Sequence, residues 1–209
     1  MAVELGVASL VTLVAGGPAA DSTGTESVFE ATIVPLILDG DRLLGHVARA
    51  NSIWKNEGPV LAIFTGPSDY VSPSWYPSKK SDGKAVPTWN YVTVMVHGSL
   101  AHHDDALWKR DVVGRLSVQH ESRLRLANAE HDSWSIDDAP PEYIENLLKS
   151  IVGIEIAISR IEGKAKLSQN RPSGDQDGVV AALSNEALAL AMRASKGNTV
   201  QLGGGVLFS

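Results

Sequence analysis

The sequence predicts a mainly β protein with added α-helices, built as a closed antiparallel barrel. Three observations predict it. Alternating apolar stretches fill the first half of the 209 residues, turn signals join neighbouring stretches, and helical spacing appears mainly in the second half. Met1 to Gly17 is apolar, but Glu4 falls where a signal peptide carries lysine or arginine, so the segment reads as a strand. Val7 to Ala15 and Val28 to Leu38 flank a Gly/Pro/Ser/Asp segment, Gly16 to Ser27, and together read as a hairpin with a long loop. Asp39-Gly40 is a tight-turn signal leading into Arg42–Ala48.

Further along, Asn51 to Asn56 reads as a helical turn capped by Asn51. Pro59 to Thr65 is a short apolar run, as a strand buried on both faces requires. Thr88 to Ala101 alternates, with Val92, Val94 and Val96 on one face and Thr93, Met95 and His97 on the other. Asp104 to Ala127 sets Trp108, Val112 and Leu116 at helical spacing, with two aspartates at its positive end. Pro140 and Pro141 open a second helix through Lys149. Ile151 to Ile161 returns to strand alternation, with Glu155 opposite the apolar face. A last amphipathic helix is expected over about 175–195, followed by a loosely held Gly-rich tail, the whole chain (1–209) forming one split-barrel domain.

Composition narrows the function classes. A net charge of −6 argues against a broad electrostatic grip on nucleic acid, although Arg110, Arg115, Arg123 and Arg125 put a modest basic face on one helix. The absence of cysteine excludes disulfides, thiolate metal sites and cysteine nucleophiles. No stretch is apolar for long enough to span a bilayer, and the expected location is the cytoplasm. No nucleophile elbow, Lys-Ser/Thr phosphate loop or His-Glu-x-x-His motif occurs. His102, His103, Asp104 and Asp105 are metal-capable, but adjacent strand residues point apart, and the aspartates suit a helix start better.

What stands out is a set of segments dense in aromatic, proline and hydrogen-bonding residues. They run from Gly45 to Trp54, Tyr70 to Tyr76, Val86 to Tyr91 and Lys164 to Arg171, and the first three hold three of the five tryptophans. A planar, phosphorylated ligand fits that mixture. Cations neutralise phosphate, hydroxyls donate to its oxygens, indoles cover a ring, and amides read a heteroaromatic edge. Against it stands plain packing, the usual role of a tryptophan beside a proline.

Four blocks within these segments, Gly45–Asn51, Val71–Tyr76, Val86–Tyr91 and Lys166–Arg171, resemble the signature of the PaiB-type family of FMN-binding proteins and negative transcriptional regulators. The resemblance runs from about Thr32 to Leu183 and includes Ile151–Ile156. It implies an FMN-binding split β-barrel, a homodimer with ligand sites where subunits meet, and a regulatory rather than enzymatic role. It carries ligand contact to His46, Arg49, Ser72, Ser74, Trp75, Thr88, Trp89, Asn90, Lys166, Ser168 and Gln169. Arg49 and Lys166 would face a phosphate, and Trp75 or Trp89 a ring. Other readings are a flavin-dependent oxidoreductase using FMN and NAD(P)H, a direct DNA-binding repressor, and a haem protein ligated through His46, His97 or His102. The chain departs from the family in having Ile33 where a histidine is usual, in starting almost directly at its first strand, and in an expanded Gly16–Ser27 loop.

Overall fold

The computed structural model describes residues 6–14 and 28–196. Six strands are present: β1 (Val7–Val14), β2 (Val28–Asp39), β3 (Arg42–Ala48), β4 (Gly58–Val71), β5 (Thr88–His103) and β6 (Ile151–Lys166). They close into a barrel in the order β1-β2-β3-β6-β5-β4, and every registered pair is antiparallel. The chain is therefore mainly β with added helices, as its alternation predicts. It divides into two compact units, with changes at Phe64/Thr65, Val94/Met95 and Arg160/Ile161.

The larger unit holds β1, β2, β3 and the barrel portions of the other strands. Alternation does the enclosing: Ala8, Leu10, Val34, Leu36, Leu43, Ile154 and Ile156 are all buried at every second position. Each such side chain contributes roughly 1.5–3 kcal/mol where it is large and apolar. The Asp39-Gly40 turn forms as expected, with Gly40 at φ +61°. Helix α2 (Ala106–Ala127) begins where Asp105 accepts the Trp108 amide, its Val112 and Leu116 pack on Ile37 and Leu44, and α3 (Pro141–Lys149) follows from the prolines that open it. Ser52, not Asn51, precedes the short 3-10 turn Ile53–Lys55. Asn51 instead accepts the Ile53 amide and donates to Thr32.

In the smaller unit, the outer parts of β4, β5 and β6 pack with α1 (Lys79–Asp82), α4 (Ser173–Ala182) and α5 (Glu186–Ser195). Val71, Tyr76, Val92, Leu167, Val179, Leu188 and Met192 form its core. Two expectations change here. The strand expected to end at Thr65 runs on through Gly66-Pro67 to Val71, the buried positions switching from even (Phe64) to odd (Val71). A Cβ at Gly66 would sit 3.1 Å from the Val92 carbonyl, so the backbone approaches closely where the local sequence signals a break. The single helix expected over 175–195 is two, because Leu183 is extended and Asn185 caps α5 by accepting the Leu188 amide. The Gly16–Ser27 loop and the Gly-rich tail lie outside the described residues.

Candidate functional site

The smaller unit gathers most of the site residues read from the sequence. Thr88 opens β5 and Lys166 closes β6, and the lysine ammonium donates to the threonine hydroxyl. Among the described residues Lys166 makes no ion pair, which leaves its charge open to an anion. Beside Thr88, Trp89 is 56% exposed and meets the edge of Tyr70 at 6.4 Å and 75°. On β5, Trp89 thus presents an exposed, edge-braced indole on the face opposite Thr88, to which the Lys166 ammonium is bound.

Asn90, Ser168 and Gln169 sit differently. Asn90 has no exposed surface, and its amide donates to Ser168 Oγ at 3.0 Å and to Met192 Sδ at 3.4 Å. Ser168 returns a bond to Asn90 Oδ1 at 3.2 Å and holds φ at +62°, a left-handed conformation that serine adopts only under constraint. Gln169 accepts from the Leu167 amide at 2.8 Å and donates to the Ala165 carbonyl at 2.7 Å, closing a clasp around Lys166. These three fix the path of the chain on either side of the lysine.

Ser72 caps the 3-10 turn Pro73–Trp75 by accepting the Ser74 amide, and the two hydroxyls lie 2.7 Å apart. Trp75 is half-buried against the unit's core, and α4 can approach its carbonyl only because position 178 is glycine. Two further residues complete the unit, Arg171 of the fourth segment and Asp175 beyond it. Arg171 lies 4.8 Å over the Tyr76 ring, and buried Asp175 accepts both the amide and the hydroxyl of Ser78. Those bonds, with Arg171 nearby, hold the Asp175 carboxyl below its usual range. Nothing local in the sequence signals the Met192 contact, which depends on α5 folding back.

His46 and Arg49 belong to the larger unit. Arg49 clamps its own surroundings: Nε donates to the Lys149 carbonyl at 2.8 Å, Nη2 to the Ile151 carbonyl at 3.1 Å, and both terminal nitrogens to Asp104. Asp104 also accepts from buried Lys109, and the two cations hold its carboxyl far below the usual range. The aspartate expected only at a helix start is thus also an ion-pair hub. Likewise Glu155 accepts from Arg42 at 3.3 Å and meets His103 Nε2 at 3.2 Å. Arg110 and Arg115 of the basic helix face are paired with Asp137 and Asp39.

A family profile described as "Putative FMN-binding domain" matches residues 6–160. The chain belongs to this family. Among curated relatives, an uncharacterised protein of Emericella nidulans is 34% identical over 153 residues, covering 69% of this chain and 60% of its own. Protease synthase and sporulation protein PAI 2 of Bacillus subtilis is 33% identical over 149 residues, covering 69% and 65%. With an Aspergillus fumigatus protein covered over 50%, the chain spans half to two-thirds of these relatives. In fold it resembles an FAD and haem binding protein from Mycobacterium smegmatis, with TM-score 0.50 and 14% identity, covering 86% of this chain and 73% of the other. The family and the split-barrel fold thus agree with the resemblance read from the four blocks. Lys166, Ser168 and Gln169 lie beyond the segment matched by the FMN-binding family profile.

His46 carries a pH prediction. Its Nδ1 is buried without a partner, and burial lowers its pKa below the ordinary value near 6.5. The unfolded chain then binds the proton more readily than the folded one. Stability is complete above about pH 6.5 and falls as pH drops through the window beneath it. His97, lowered by burial and by Arg160, adds in the same direction. The urea midpoint should fall from about pH 7.5 to about pH 5.5. His46→Gln should flatten that slope; an unchanged slope would remove His46 as its source.

Proposed function

We propose that the chain is a flavin-binding protein of the PaiB type, acting as a homodimeric negative transcriptional regulator with FMN as its ligand. The observation that carries this reading is Lys166, held on Thr88 with no ion pair among the described residues, at the end of β5 that also exposes the Trp89–Tyr70 pair on its other face. The donor set suits a flavin phosphate: one ammonium, the Thr88 hydroxyl, and Ser72 and Ser74 in the same unit. Lys166 binds the phosphate, Trp89 covers the ring, and Asn90, Ser168 and Gln169 hold the lysine in position. Arg49, already engaged by Asp104 and two carbonyls, is left out of the phosphate set. A bound flavin supplies hydride or electron transfer, while the protein supplies position and electrostatics.

The regulatory half rests on kinship with the Bacillus subtilis sporulation protein. Broad DNA contact gains no support from a charge of −6 or from Arg110 and Arg115, which are ion-paired. No helix of the described residues is long and apolar enough to cross a membrane. The test is titration of FMN into purified protein, following flavin fluorescence and the visible spectrum. Saturable quenching is the expected result, and unaffected FMN overturns the flavin reading. Steady NAD(P)H oxidation by the loaded protein would instead make it an oxidoreductase.

A further inference from the structure

We infer that the outer face of β4, β5 and β6 within the smaller unit is a stacking platform for single-stranded nucleic acid. The inference extends the regulatory half of the reading above by naming the partner. Barrel order sets β5 between β6 and β4. On β5, Asn90 and Val92 are buried, so Trp89 and Tyr91 stand on the other side, 56% and 37% exposed. On β4, Val71 turns into the unit's core and leaves Tyr70 outside, 42% exposed and edge-on to the Trp89 ring at 6.4 Å. On β6, Ala165 packs on that core, and its neighbour Lys164 is exposed on the opposite side. Three neighbouring strands thus bring three exposed aromatic rings and a lysine to one face.

Charge says which kind of flat ligand suits those rings. The smaller unit carries eight lysines and arginines against six aspartates and glutamates, so it stands at +2 while the rest of the chain carries −8. Its cations are largely uncommitted: Lys79, Lys80 and Lys164 are exposed and make no ion pair among the described residues. Two of its acids are taken up already, Asp175 by Ser78 and Asp177 by Lys196. In the larger unit the arginines are spent internally, Arg49 on Asp104, Arg110 on Asp137 and Arg115 on Asp39. An overall charge of −6 therefore conceals one unit that attracts anions.

Exposed rings and free cations together fit a strand whose bases are unpaired. In a duplex the base faces are stacked on one another and closed to side chains. An unpaired strand offers each base face to an aromatic ring and its phosphates to nearby lysines. A sheet face suits this, because side chains two apart on one strand, such as Trp89 and Tyr91, point the same way and can serve successive bases. Binding of this kind tolerates sequence, since every base has a ring face, and it weakens with salt.

Fluorescence anisotropy of labelled oligodeoxythymidine and oligouridine, each of about 12 nucleotides, titrated with the flavin-free full chain tests this. Saturable binding of at least one strand is expected, about 10-fold or more tighter than to a duplex of the same length, and the tighter strand tells DNA from RNA. Trp89→Ala should weaken binding by about 5–100-fold, as loss of a stacking ring does, and Trp89→Phe should restore most of it. Lys164→Ala should lower the salt slope by about 0.7, the value for one phosphate contact on a single strand. Trp134→Ala, which removes an exposed tryptophan of the larger unit, should leave affinity unchanged. Circular dichroism shows whether the variants keep their fold; should Trp89→Ala not, Tyr91→Ala supplies the same comparison. Because flavin is absent, failure here leaves the flavin reading standing, and failure to bind FMN leaves this inference standing. No saturable binding of either strand overturns it, and so does a folded Trp89→Ala protein that binds like its parent. If neither strand binds and Trp89→Ala splits a dimer, the face belongs to a second copy instead.

Discussion

Gly153→Ala is expected to destabilise the protein by about 3 kcal/mol, lowering the melting temperature by about 10 °C. Gly153 lies inside β6, where register sets it opposite His46. A methyl group there would come within 2.6 Å of Trp108 Cε3 and 3.1 Å of the His103 carbonyl. The indole has no room to retreat, since it stacks on the His103 ring at 4.2 Å and 16°. His103 is in turn held to Glu155, which accepts from Arg42. Alanine would gain about 0.5–1 kcal/mol over glycine in strand preference, which the overpacking cost exceeds. Gly114→Ala makes the opposite control. It lies inside α2, the nearest atom to its Cβ would be Ile136 Cγ2 at 3.7 Å, and stabilisation by about 0.4–1 kcal/mol is expected. Urea denaturation reads both variants, and a Gly153→Ala protein as stable as its parent would show that the Trp108 layer repacks freely.

The same region shows what a sequence can and cannot reveal. Local chemistry was legible: the Asp39-Gly40 turn, the helix start at Asp104-Asp105 and the alternation of Val152, Ile154 and Ile156 all lie in short stretches whose pattern is set by period and capping. The passage of β4 through Gly66-Pro67 was not, because those residues signal a break and only the facing Val92 backbone explains the glycine. Nor was the division of the last helix, where the extended residues Leu183 and Asn185 outweigh an otherwise continuous periodicity.

For the candidate site, residue types marked the segments but could not assign partners. Arg49 and Lys166 look equivalent as phosphate ligands in sequence. Folding gives Arg49 a carboxylate 55 positions away and two carbonyls about 100 away, while Lys166 receives only a hydroxyl 78 away. Asn90 and Trp89 are neighbours, yet strand alternation buries one completely and exposes more than half of the other. Those distinctions are made by tertiary pairing, which no local motif records.

They also lead to the sharpest expectation for the flavin reading. Lys166→Ala should weaken FMN binding by about 10–100-fold and leave riboflavin binding nearly unchanged. A charge-assisted contact to phosphate is worth about 1.5–3 kcal/mol, and each 1.4 kcal/mol is a factor of ten. Riboflavin shares the ring but lacks the phosphate, so it reports on the ring site alone. Thr88→Val should have a smaller effect of the same kind, because it frees the ammonium without removing it. Trp89→Ala should weaken both ligands alike if the exposed indole covers the ring as proposed. Fluorescence titration of both flavins against the parent and the three variants separates these roles. An equal loss of FMN and riboflavin in Lys166→Ala would make the lysine a structural member of the β5–β6 end, and no loss of either would place the phosphate elsewhere.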